Sequence, residues 1–132
     1  MPAATSRKER WKESPDDRDY PAAEDYLSLV TTPAAAKALV RRLRIAPIQH
    51  RKAKDLLRAS GLPVLDPDNF HVAKDLNKIA QGRLLSPVLC VRGMVRFQVP
   101  LIVADGYHRI CASYHLDEDA DIPCRITDLG KA

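Results

Sequence analysis

The stretch Leu101–Leu116, LIVADGYHRICASYHL, decides how this chain folds. Leu101 to Ala104 is an apolar run with the character of a buried strand, and Asp105-Gly106 ends it. Tyr107, Ile110, Cys111 and Tyr114 then recur at i, i+3, i+4 and i+7, one face of a helix. Asp105 is positioned as its N-cap, and Gly106 allows a sharp turn and close approach of a ligand to the backbone. The unpaired N–H groups and the dipole of a helix start attract an anion. His108 and Arg109 fall in that first turn, and a guanidinium is a planar fork suited to phosphate.

Outward from this stretch, Ser86–Val91 reads as a strand, Arg92-Gly93 as a turn, and Asp117–Asp121 as an acidic loop. Ile122–Ile126 follows as a third short strand despite Pro123. Upstream, Val72, Leu76, Ile79 and Ala80 mark a helix closing at Gly82, and Leu62–Phe70 is a proline-bearing loop. His50–Ser60 is expected to be helical, with Ala53, Leu56 and Leu57 inward, Lys52, Lys54, Asp55 and Arg58 outward, and Gly61 ending it. Pro47 limits Ile45–Ile48 to a short edge strand at most.

Two further stripes, Ala23-Tyr26-Leu27-Val30 and Ala36-Leu39-Val40-Leu43, form a helical hairpin, the second helix opening at Thr32-Pro33. Residues 1–19, charged and proline-bearing, are expected to be a flexible arm, or one ordered only by packing Trp11 on the body. The expectation is a single α+β domain over residues 20–132: a hairpin at 20–44 and an α+β core at 45–132.

The formal net charge of +4 permits an anionic partner without demanding one. The basic residues recur in short groups (Arg41-Arg42-Leu43-Arg44, Arg51-Lys52-Ala53-Lys54), which read as solvated helix faces or as a nucleic-acid surface. Cys90, Cys111 and Cys124 lie in apolar runs with no C-x-x-C spacing, as packed, reduced thiols do, and no zinc pattern is present. No run approaches a membrane span, and a cytoplasmic protein without membrane contact is expected.

Ser86–Ile126 resembles the ParB/sulfiredoxin-like superfamily. Four ordered pieces carry the likeness: a helix ending at Gly82, the Pro87–Val91 strand, a strand running into D-G-x-H-R at Asp105–Arg109, and a small-residue helix followed by Ile122-Pro123-Cys124. The resemblance implies a small mixed sheet packed with helices and a nucleotide phosphate site at Asp105, Gly106, Tyr107, His108 and Arg109. It implies ATP or another nucleoside triphosphate, with Mg²⁺ bridging the phosphates, and phosphoryl transfer or triphosphate hydrolysis if the protein is an enzyme. Tyr107 stands where sulfiredoxins carry their nucleophilic Cys, and a phenol cannot form the sulfur-linked intermediate, so peroxiredoxin repair is disfavoured.

Several residues admit two roles. Asp105 caps the helix, or orients a metal or a substrate hydroxyl. His108 is a phosphate ligand or acid–base group, against a structural imidazole. Arg109 is a phosphate clamp, against a salt bridge to Asp117, Glu118 or another acid. Ser86 helps hold phosphate or caps a turn, and Lys52 and Lys54 complete an anion pocket if their helix packs near Gly106. Glu24, Asp25 and Asp55 are the carboxylates considered for taking a hydroxyl proton. The partner is then a nucleotide or phosphorylated small molecule. The rival is a non-catalytic nucleic-acid-binding module using the basic helices and the N-terminal arm.

Overall fold

A computed structural model describes residues 10–129. In chain order the elements are β1 (Arg10–Trp11), α1 (Asp19–Val30), α2 (Pro33–Ile45), β2 (Ile48–Lys52), α3 (Ala53–Ser60), α4 (Phe70–Ala80), β3 (Leu84–Leu85), β4 (Val88–Arg92), β5 (Ile102–Asp105), α5 (Tyr107–Leu116) and β6 (Asp121–Asp128). The four-stranded sheet has the order β2-β6-β4-β5, and β1 and β3 form a separate parallel pair. This is an α+β architecture.

β4 is the centre of the packing. Val88, Leu89, Cys90 and Val91 are all buried, as expected of a strand covered on both faces. Val88 and Cys90 join a core with Leu56, Leu57, Val72, Ile79, Ile110 and Cys111, from α3, α4 and α5. Leu89 and Val91 join the opposite core with Tyr20, Leu27, Leu39, Val40 and Leu43, from the α1–α2 hairpin. The period-two alternation of one strand therefore supplies both cores. β6 runs parallel to β4 from Val88↔Cys124 to Arg92↔Asp128 and antiparallel to β2. Pro123 stands just before the β4 ladder begins.

α2 forms as the sequence predicts: Thr32 Oγ1 accepts from the Ala35 N–H, and Ala36, Leu39, Val40 and Leu43 are buried. α1 is only half as expected, because Tyr26 and Val30 are exposed while Tyr20 is buried. The helix expected from His50 starts at Ala53 instead. Ile48–Lys52 is an edge strand on β6, held by backbone pairing that its polar side chains do not announce. Residues 10–19 are not a free arm. β1 pairs with β3, Trp11 packs against the core, and Asp19 already belongs to α1. Residues 1–9 of the expected arm lie outside the described residues.

β5 lies antiparallel to β4, with a register shift between Leu89 and Cys90. Cys90 faces Val103 while Leu89 faces Asp105, so β5 carries one extra residue just before the turn into α5. Such bulges re-aim the end of a strand.

Candidate functional site

Gly106 makes the turn from β5 to α5 with φ 109° and ψ 12°. A Cβ there would sit 2.4 Å from Val88 Cγ1, so both the backbone conformation and the space require glycine. Gly106 is itself the N-cap position, and no side chain caps the helix. The N–H groups of Tyr107, His108 and Arg109 find no acceptor among the described residues. Asp105 does not take the expected capping role. Its carboxylate lies i−4 to Arg109 and pairs with Nη2.

Arg109 is held on several sides. Nη1 donates to the Ser86 carbonyl at 2.7 Å and to Asp19 Oδ2 at 3.3 Å, while Nη2 donates to Asp105. All three charged side chains are buried to within a fifth of full exposure. Of the two roles considered for Arg109, the structure shows the ion pair, to Asp19 and Asp105 rather than to Asp117 or Glu118. Burial pushes the Asp105 carboxyl above the ordinary carboxylate range, and the Arg109 guanidinium opposes it.

Ser86 is likewise a builder of the wall. Its Oγ donates to Asp19 Oδ2 and accepts from the Asp16 N–H at 2.9 Å. Asp16 also holds Lys12 at 2.7 Å.

These residues floor a cleft of about 300 Å³ between the 12–19 segment, α4, β3 and the start of α5. From α4 the cleft takes His71, Lys74, Asp75 and Lys78, spaced i, i+3, i+4 and i+7 on one face. Arg18 and Arg83 complete the rim. Arg18, Lys74, Lys78 and Arg83 make no ion pair among the described residues. Four cations free of ion pairs, in a cleft whose basic side chains outnumber its acidic ones and which includes a helix start, raise the local concentration of anions.

His108 packs against His71 in a tilted contact, with ring centroids 4.7 Å apart and planes inclined at 44°. Burial, and then the neighbouring His71, hold the His108 imidazole below its ordinary range, favouring the neutral ring.

Other expected site residues fall elsewhere. Tyr107 is not part of the cleft lining, and its hydroxyl donates to the Pro63 carbonyl. Lys52 and Lys54 are absent from the cleft because α3 begins where β2 ends, which directs both to Asp119, at 3.8 and 3.0 Å. Of the carboxylates considered as bases, Glu24 pairs with Lys37 and Asp55 with Arg58; neither they nor Asp25 lines the cleft. His115, outside the cleft, is partly buried, with its Nε2 2.6 Å from the Leu65 carbonyl oxygen. Sequence reasoning missed Asp19 and the polar face of α4. The His71-Lys74-Asp75-Lys78 spacing was the available signal, opposite the apolar stripe that marks the helix.

The structure thus defines an α+β domain with a basic cleft at the start of its last helix. No protein-family model, no curated protein and no solved structure matches the chain. No helix among the described residues is long and apolar enough to cross a membrane.

Proposed function

We propose that the chain is a phosphate-ligand-binding domain of the ParB/sulfiredoxin-like kind, a nucleotide being the favoured ligand, with its site in the Arg18–Lys74–Lys78–Arg83 cleft. One observation carries the reading: these four cations lack ion-pair partners and line one cleft with Gly106, His108 and Arg109, at a helix start whose first N–H groups have no acceptor among the described residues. Arg109 acts from behind, by holding Asp19 and Asp105 against the turn. Phosphoryl transfer or triphosphate hydrolysis is the enzymatic form of the proposal.

The residues do not build a cage for the Mg²⁺ that such chemistry employs. Asp16, Asp19 and Asp105 are each engaged by a cation, and no group of three or more His, Cys, Asp or Glu converges among the described residues.

The nucleic-acid reading has less support. Lys52 and Lys54 pair with Asp119, Arg42 donates to the Asp128 carbonyl, and Arg44 lies over the Tyr20 ring at 4.2 Å. The test is a thermal-shift titration with tripolyphosphate, ATP, CTP and GTP. Millimolar ligand raises the melting point by linkage if the cleft binds it. Absence of a shift with all four rejects the proposal.

A further inference from the structure

Asp75 is the anomaly of this cleft. It projects from the middle of α4 among cations, yet its carboxylate makes neither an ion pair nor a side-chain hydrogen bond with any described residue. The other three cleft carboxylates are all engaged: Asp16 by Lys12, Asp19 by Ser86 and Arg109, Asp105 by Arg109. The charged and titratable groups acting on Asp75 are Lys74 and Lys78 from its own helix and His108 and Arg109 from α5. His71 lies one turn earlier on the same face. A bare carboxylate there weakens any purely anionic ligand, because it repels the phosphate that the cations attract. Half-burial also strips part of its hydration, so a donor brought to it gains more than it would at an exposed acid.

We propose that Asp75 accepts a hydrogen bond from a hydroxyl group of the ligand, so that the cleft selects a phosphate borne on a hydroxylated skeleton, such as ribose, over a bare oxyanion. This rests on the anion-binding reading of the cleft and specifies its ligand class. A hydroxyl fits better than an ammonium, which would enter beside Lys74, Lys78, Arg18 and Arg83. Asp75 is in this sense a specificity-determining residue.

The experiment is isothermal titration of the whole chain and of its Asp75→Asn and Asp75→Ala variants with tripolyphosphate, ATP and 2′,3′-dideoxy-ATP. It is run in EDTA and repeated with Mg²⁺, and thermal unfolding establishes that both variants are folded. The natural chain is expected to bind ATP about tenfold more tightly than the dideoxy analogue, the value of one charge-assisted hydrogen bond. Both variants should lose that preference, while tripolyphosphate affinity stays level or rises as a repelling charge is removed. The proposal is overturned if ATP and its dideoxy analogue bind equally to the natural chain. It is overturned also if the substitutions change all three affinities by one common factor, or if the preference appears only with Mg²⁺. Tripolyphosphate binding without any ribose preference leaves the anion site standing and removes this inference alone. Failure of all three ligands to bind the natural chain removes both.

Discussion

Asp19 Oδ2 accepts a hydrogen bond from Arg109 Nη1 at 3.3 Å, joining the first residue of α1 to the first turn of α5 across 90 positions of sequence. Ser86 Oγ donates to the same oxygen. Because the pair is buried, removing one partner leaves an uncompensated charge in a poorly solvated place.

Arg109→Ala is therefore a stability variant before it is a binding variant. It leaves Asp19 and Asp105 facing each other, and we expect a loss of about 3 kcal/mol in urea denaturation. An unchanged denaturation midpoint would contradict the buried pairing.

Two of the left-handed glycines, Gly61 and Gly106, should respond differently to alanine. Gly61→Ala, at φ 69° with nothing within 4 Å of the added methyl, should cost about 1 kcal/mol. Gly106→Ala drives the methyl into Val88 as well as straining the backbone, for a cost of about 3 kcal/mol. Equal costs in chemical denaturation would rule out the close contact with β4.

Charge reversals locate the anion site. Lys74→Glu and Lys78→Glu should each weaken tripolyphosphate binding by about tenfold or more in calorimetry. Lys52→Glu and Lys54→Glu, which face Asp119, should leave it nearly unchanged. The reverse ranking would move the site to α3.

Asp75 also has a pH signature. Burial raises its carboxyl in the native state, so the native protein holds that proton more tightly than the unfolded chain. The resulting stability is present below the ordinary carboxylate range and is lost as pH rises through the native value. Asp75→Asn should therefore raise the melting temperature near neutral pH, with the gain disappearing in acid. A gain that persists in acid would reject the titration as its cause.

The thiols should be silent. Cys90, Cys111 and Cys124 are buried, and burial pushes all three upward, Cys124 to about 11. A thiol-reactive dye should modify none of the three in the native protein and all after unfolding.

The strand–turn–helix of Ile102–Leu116 was legible because its signals are local: an apolar run, a glycine where φ must be positive, and a helical stripe. α2 was legible for the same reason. β2 was not, since Gln49, His50, Arg51 and Lys52 show no apolar alternation and their order comes from pairing with β6. The candidate site was half legible. The helix start could be read, but the groups that engage Arg109 and the cations that line the cleft come from other segments. Asp19, read as the end of an arm, lies 90 residues away, and no pattern within one element reports such a partner.

The near wall of the cleft is made by Lys12, Asp16, Arg18 and Asp19, ahead of residue 20. A shortened chain starting at Tyr20 would keep most of both cores of the central sheet yet lose Trp11, open the recess on one side and leave Arg109 with only Asp105 and the Ser86 carbonyl. Such a fragment could fold and still be deaf to the ligand, so silence from it would say nothing about the intact molecule.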